Sequence, residues 1–301
     1  MRIAITASAF DLANLPPSLA ACDLIINDSG RRPDRDGVLA LVDPDVAGAI
    51  AGLEPYDATV LAQASSLRAI SRIGTGVDNV DLEAAAQHGV EVLRTPDAPT
   101  SAVAELTVAF ILAGLRHLLH HHGQVVSGAW KGRPGGLLEG RTVGLIGAGR
   151  IARAVADRLT PFGATVRAAD PHVAPADVPF PLVDLDTLLR TSDIVSLHVP
   201  GQDGGPLIDA GRLALLPDGA MLINTARGGL VDEIALADAL RSRRLGFAGL
   251  DAYAHEPYDG ELRELDNVLL TPHVGSNTRE TRVAMEREAA RNLAAALGLS
   301  T

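Results

Sequence analysis

The chain has 301 residues, 47% of them hydrophobic and 21% charged, which is the length of about two domains and the profile of a folded globular protein rather than a disordered one. Its net charge of -11 argues against nucleic acid as the main partner, since phosphate binding needs clustered Lys and Arg, although a local basic site can still hold a small anion. The one cysteine, Cys22, excludes an intramolecular disulfide and a metal site of several thiolates and suits a reducing cytoplasm, and no apolar run approaches the roughly 20 residues of a membrane helix.

The start, Met1-Arg2-Ile3-Ala4-Ile5-Thr6, reads as a first strand rather than a secretory leader. Strand-like runs then alternate with helical stretches, the pattern of an α/β protein with parallel sheets. In the first part the strands fall at 2–6, 23–27, 48–51, 69–73 and 90–94, with helices at 57–64 and 81–88, the second stopped by Gly89. A helix is predicted over 101–119 after the turn-rich stretch Thr95-Pro96-Asp97-Ala98-Pro99, followed by a Gly- and Pro-rich loop over 123–140. The alternation restarts with strands at 141–146, 165–170, 194–198, 220–224, 246–251 and 268–271; a weak strand at 182–183 makes seven repeats, which fits a nucleotide-binding domain. The stretch 171–181 is read as a surface loop and 278–297 as an amphipathic helix. The sequence stops at Thr301, so no C-terminal regulatory domain is expected.

The run Val143-Gly144-Leu145-Ile146-Gly147-Ala148-Gly149-Arg150-Ile151-Ala152 contains a G-x-G-x-x-A fingerprint. A glycine pattern alone is weak, but here a buried-strand run precedes it, a helical run follows from Ile151, and Asp170 ends the next strand about 20 residues on. Gly147 permits the tight turn, Gly149 admits a pyrophosphate close to the backbone, and Ala152 is small enough for close helix–strand packing. The helix start offers free N–H groups to phosphates. Asp170 can accept bonds from ribose hydroxyls and would repel a 2′-phosphate, so NAD is favoured over NADP. Arg150 either bonds a cofactor phosphate or is solvated at the helix start.

Three later segments each place polar residues at the C-terminal end of an apolar strand, where ligands bind in open parallel sheets. They are Asn224-Thr225-Ala226-Arg227-Gly228-Gly229, Asp251 continuing to His255-Glu256-Pro257, and Thr271-Pro272-His273-Val274-Gly275. With Arg72-Ile73-Gly74-Thr75-Gly76-Val77-Asp78-Asn79, Ala104-Glu105-Leu106-Thr107 and Val195-Ser196-Leu197-His198-Val199-Pro200, the ordered set resembles the D-isomer specific 2-hydroxyacid dehydrogenase family over essentially the whole chain. That family includes phosphoglycerate dehydrogenases, glyoxylate/hydroxypyruvate reductases and phosphonate dehydrogenase.

The resemblance implies two parallel-sheet domains, a Rossmann NAD-binding domain inserted into a flavodoxin-like substrate domain. Residues 1–97 would form the first part of the substrate domain, 98–274 the NAD-binding domain, and 275–301 a helix returning to the substrate domain. It implies Arg227, Glu256 and His273 as the catalytic set. The chemistry agrees: histidine titrates near neutrality, a carboxylate fixes its tautomer and favours its protonated form, and arginine binds a carboxylate through two parallel bonds. Cofactor contacts are expected from Gly147, Gly149, Arg150, Ile151 and Asp170, and by resemblance from Thr107, His198, Val199, Pro200, Thr225, Ala226 and Asp251, the last facing the nicotinamide amide. Backbone N–H groups of Ile73, Gly74 and Thr75, together with Arg227, are expected to hold the substrate carboxylate.

The loop Ala51-Gly52-Leu53-Glu54-Pro55-Tyr56 has no cation, where phosphoglycerate dehydrogenases typically carry one, so Glu54 would serve a phosphate poorly; Arg72 is a candidate anion partner. Glyoxylate- or hydroxypyruvate-like acids therefore lead 3-phosphoglycerate as the expected substrate, bound between the domains. A phosphonate-type oxidation ranks third, because the glycine loop lacks a lysine. His117, His120, His121 and His122 read as a solvated helix end, and no metal site is expected. The alternative from another class is an NAD(H)-sensing, corepressor-like binding protein on the same fold. A homodimer through the nucleotide domain is expected, with 101–130 supplying the contact.

Overall fold

A computed structural model describes residues 1–202 and 204–299. The chain divides into two compact units, Met1–Pro99 with Ser276–Thr301, and Thr100–Gly275.

The first unit is built on five strands: β1 (Arg2–Ile5), β2 (Asp23–Ile26), β3 (Val46–Ala51), β4 (Ala69–Arg72) and β5 (Glu91–Leu93). They pair in the order β2-β1-β3-β4-β5, every pair parallel, which is the flavodoxin-like order. Because successive strand residues point to opposite faces, each central strand is apolar on both sides. Ile3, Ile5 and Ile50 pack against Met285, Ala289 and Leu293 of the C-terminal helix Arg279–Ala296. Ala4, Ala49 and Ile70 pack on the other face against Val38, Val60 and Ala84, from helices Arg35–Leu41, Ala58–Gln63 and Leu82–Gln87. Asp34, Asp57, Asp81 and Thr278 each accept a backbone N–H at the start of one of these four helices, which fixes where each begins.

The second unit has six parallel strands: β6 (Thr142–Ile146), β7 (Thr165–Ala169), β8 (Ile194–Leu197), β9 (Ala220–Asn224), β10 (Leu245–Leu250) and β11 (Val268–Leu270). Their order is β11-β10-β9-β8-β6-β7. One face is covered by helices Thr100–Leu115 and Arg150–Leu159, through Phe110, Ile111, Val155 and Leu159. The other is covered by Leu185–Thr191 and Glu233–Arg241, through Leu188, Leu236 and Leu240. The chain moves outward to β7 and then crosses back to β8, so β6 and β8 flank the point where strand order reverses. Ligand crevices form beyond the C-terminal ends of strands at such a point.

Two expectations are corrected here. Residues 182–183 form no strand: Leu182 makes a single parallel bridge to Ala168, with Ala168 N donating to Pro181 O and Val183 N to Ala168 O. Pro179 and Pro181 have no N–H with which to extend a ladder. The helix expected over 101–119 is two helices, Thr100–Leu115 and Leu118–Val126, bent by 64° at His117, whose φ is 49°. The break has a non-local cause, since Gly136 N donates to Leu115 O and thereby claims a last-turn carbonyl. The second helix then occupies the first part of the stretch read as loop.

Among the described residues no single helix is long and apolar enough to cross a membrane. The apolar helix Thr100–Leu115 is spent in the core, with Phe110 and Ile111 almost fully buried.

Candidate active site

The glycine turn lies at the strand-order reversal. Gly147 has φ 96°, a conformation that side chains rarely adopt, and a β-carbon there would stand 2.6 Å from His198 O. The turn therefore seats directly against the end of β8, and only glycine fits. Gly149 differs: it caps the helix Arg150–Leu159 in an extended conformation with no side chain to accept the first N–H groups, and a β-carbon there would meet open space. Nothing in the protein requires glycine at that position, whereas a diphosphate lying on the helix start would. Asp170, at the end of β7, accepts Ala148 N at 2.9 Å and His172 N at 2.9 Å. Each carboxylate oxygen retains a second lone-pair direction for a ribose hydroxyl. These residues fit a dinucleotide. Arg150 is exposed at the helix start, and Ile151 is half-buried against the core.

His198 follows β8, with Nε2 2.9 Å from Ser196 Oγ. Burial pushes its pKa down to about 3, so the ring is neutral at physiological pH. A β-carbon on Gly147 would also stand 2.9 Å from the Val199 side chain, while Pro200 is exposed. Thr107 is fully buried; its hydroxyl donates to Val103 O at 2.8 Å and lies 2.9 Å from Thr225 Oγ1, at the end of β9.

The catalytic candidates stand on three turns at the C-terminal ends of β9, β10 and β11. After β9, buried Asn224 organises the first turn: its Nδ2 donates to Arg227 O at 2.8 Å and its Oδ1 accepts Ala226 N at 3.1 Å. Arg227 is half-buried there, and its Nη1 donates to Ala226 O. After β11, His273 adopts φ 54°. The turn that carries it is held by buried Asp251, whose Oδ1 accepts Thr271 Oγ1 and Val274 N and whose Oδ2 accepts Gly275 N at 2.7 Å. The carboxylate that the resemblance directs at the nicotinamide amide thus also braces the His273 turn, and its Oδ2, with one donor, retains a second lone-pair direction.

Glu256 and His273 come together. His273 Nδ1 lies 2.9 Å from Glu256 Oε1 and 3.1 Å from Oε2, with each side chain somewhat over one-third exposed. Nδ1–H donates to the carboxylate, which leaves Nε2 as the ring atom available to a ligand. Glu256 Oε1 also accepts Tyr253 N at 3.2 Å. Two positioning contacts were not foreseen. Asn224 ends an apolar run and Tyr253 sits in a mixed one, and nothing in either stretch marks what the side chain bonds to.

In the first unit the expected carboxylate cradle is reduced. Ile73 N donates to Ala51 O at 2.8 Å as part of the β3–β4 pairing, and Gly74 N donates to Thr95 Oγ1 at 2.7 Å. The expectation of three N–H groups narrows to Thr75, because neighbouring strand and turn take the other two. Glu54 is buried and accepts the Thr6 hydroxyl and Gly52 N, the latter at 2.8 Å. Its carboxyl group therefore occupies one donor after β1 and one after β3.

Among the described residues no group of three or more His, Cys, Asp or Glu side chains is placed to hold a metal ion.

Residues 108–275 match the family profile of the D-isomer specific 2-hydroxyacid dehydrogenase NAD-binding domain. The chain is 41% identical over 257 residues to a D-3-phosphoglycerate dehydrogenase of Mycobacterium leprae, covering 83% of this chain and 49% of that one. It is 40% identical over 238 residues to a hydroxypyruvate reductase of Thermotoga maritima, covering 76% and 78% respectively. It thus spans about half the length of the phosphoglycerate dehydrogenases it matches. A crystal structure of a protein from Thermus thermophilus superposes with a TM-score of 0.90 at 36% identity, covering 99% of this chain and 97% of that one. With the glycine cradle and the Arg, Glu and His turns in their expected order, this chain belongs to the D-isomer specific 2-hydroxyacid dehydrogenase family.

Proposed function

We propose that this chain is an NAD-dependent oxidoreductase that interconverts a D-2-hydroxy acid and its 2-keto acid, with Arg227, Glu256 and His273 as catalytic residues. The observation that carries the reading is the 2.9 Å contact of His273 Nδ1 with Glu256, on turns of the same sheet as the glycine cradle. NAD, when bound, supplies or accepts the hydride. In reduction, protonated His273 gives its Nε2 proton to the substrate carbonyl oxygen; in oxidation Nε2 takes the hydroxyl proton. Glu256 fixes the Nδ1–H tautomer and stabilises the imidazolium. Arg227 binds the substrate carboxylate and polarises the carbonyl.

The cofactor residues in this reading are Thr107, Gly147, Gly149, Arg150, Ile151, Asp170, His198, Val199, Pro200, Thr225, Ala226 and Asp251. Small unphosphorylated acids of the glyoxylate and hydroxypyruvate kind lead 3-phosphoglycerate, because Glu54 already fills the Gly52 N–H and the Thr6 hydroxyl. Arg72 is the residue that would favour a second anionic group. The dehydrogenase and reductase names of the relatives favour an enzyme over a sensing corepressor. We place the protein in the cytoplasm as a homodimer, on its lone cysteine and on the apolar side chains displayed by the Leu118–Val126 helix.

The test is NADH oxidation with glyoxylate, hydroxypyruvate, pyruvate and 3-phosphohydroxypyruvate, for the wild type and His273→Ala. Fast turnover of one acid is expected, with His273→Ala losing about 1,000-fold or more in kcat while still binding NADH. Near-normal turnover by His273→Ala would remove His273 from its role. Silence of the wild type on every acid, with NADH bound, would favour a sensing protein.

A further inference from the structure

The three catalytic turns leave three different strands, and nothing in the β-ladders fixes their tips against one another. One residue, Tyr253, touches all of them, partly through its side chain and partly through its backbone. The Tyr253 hydroxyl, in a residue only 8% exposed, donates toward two carbonyl oxygens, Leu250 O at 3.0 Å and Thr271 O at 2.9 Å. The second ties the end of β10 to the turn that carries His273. Its backbone N–H donates to Glu256 Oε1, the oxygen that also contacts His273. Its carbonyl carbon lies so close to Gly228, the neighbour of Arg227, that a β-carbon on Gly228 would stand 1.7 Å away. Tyr258 stacks on the ring at 4.6 Å between centroids, which fixes the ring plane and hence where the hydroxyl points.

We infer that Tyr253 is a positioning residue that holds Arg227, Glu256 and His273 in one arrangement through its hydroxyl, its N–H and its backbone contact with Gly228. The inference rests on the catalytic roles proposed above. One phenolic proton cannot fully satisfy two carbonyl oxygens, so it is shared between β10 and the His273 turn, and its loss loosens both. Tyr253 touches no reacting atom in this scheme. It acts by keeping the Glu256–His273 contact short, and the Nδ1–H tautomer of His273 depends on that contact.

Tyr253→Phe is the informative variant, because it keeps the ring, its stacking and the backbone and deletes only the hydroxyl. Two quantities are read: kcat with the best acid, and the tautomer of His273 from ¹⁵N-histidine spectra, with the signal assigned by comparison with His273→Gln. In wild type His273 should be the Nδ1–H tautomer. In Tyr253→Phe the tautomers should mix and kcat should fall about fivefold to tenfold, the size of one or two lost hydrogen bonds, with the Kd for NADH changed less than about twofold. A folded Tyr253→Phe protein with wild-type kcat and an unmixed His273 tautomer overturns the inference. If the wild type turns over no acid, the proposed activity fails instead, and the tautomer comparison alone decides whether Tyr253 holds His273.

Discussion

Gly147 and Gly149 stand two residues apart in one fingerprint, yet their surroundings demand glycine for different reasons. Gly147 is required by the protein itself, since its φ is 96° and a β-carbon would strike His198 O. Gly147→Ala should therefore destabilise the fold by about 1–3 kcal/mol, read as a lower denaturation midpoint with or without NADH. Gly149 is required by no protein atom, and its extended conformation suits an N-cap side chain. Gly149→Ser should keep or raise Tm, because serine is a good N-cap, while weakening NADH binding about tenfold or more by crowding the diphosphate. Equal Tm losses in the two variants would refute this division. His198 yields a pH prediction at the same scale. Its folded pKa of about 3 lies below the ordinary 6.5, so the unfolded chain takes up a proton in that window before the native protein does. Its contribution to stability is complete above 6.5 and is lost as pH falls toward 3. Tm of the wild type should accordingly drop more steeply from pH 6.5 to pH 4 than Tm of His198→Gln.

At the scale of elements, the strands were legible because each is a short apolar run ended by a turn residue, whereas the short capped helices Arg35–Leu41, Leu185–Thr191 and Glu233–Arg241 were not called. The fingerprint was legible for the same local reason, since strand, glycine turn, helix and Asp170 are contiguous in sequence. What could not be read was what one segment does to another. The helix break at His117 depends on Gly136 taking the Leu115 carbonyl from a loop 21 positions away. Likewise, the amides of Ile73 and Gly74 are claimed by Ala51 and Thr95, so the glycine loop looked more open as a sequence than it is folded. The helix Glu233–Arg241 shows how an element start can serve a neighbouring turn. Glu233 Oε1 accepts Ala254 N at 2.7 Å, in the loop that carries Glu256, and burial raises its pKa above the ordinary 4.5. A carboxylate with a raised folded pKa opposes folding at neutral pH, and the opposition fades as the pH falls toward 4.5. Glu233→Gln keeps an acceptor for Ala254 N without the charge. Its Tm should exceed that of wild type at pH 7.5, with the difference closing toward pH 4.5; a constant offset across that range would show that the charge is not the cause.

At the scale of the whole molecule, the second unit displays an apolar surface that its own core does not use. Leu118, Val125 and Val126 are more than half exposed along the Leu118–Val126 helix, and Trp130 just beyond it is 92% exposed. A surface of this kind fits the homodimer interface proposed above. Trp130→Glu should convert the proposed homodimer to monomers in sedimentation velocity; an unchanged sedimentation coefficient would place the interface elsewhere.

The single bridge between Ala168 and Leu182 bears on how copies of this protein behave when crowded. A parallel sheet ending on a long bare strand invites pairing with any chain that presents a free backbone. Here β7 is screened on its outer side by a segment too interrupted by Pro179 and Pro181 to become a strand itself. The screen takes up the backbone of Ala168 yet offers the next chain no ladder to extend. Replacing the two prolines would lengthen the sheet by one strand and, with it, create an edge on which aggregation can begin.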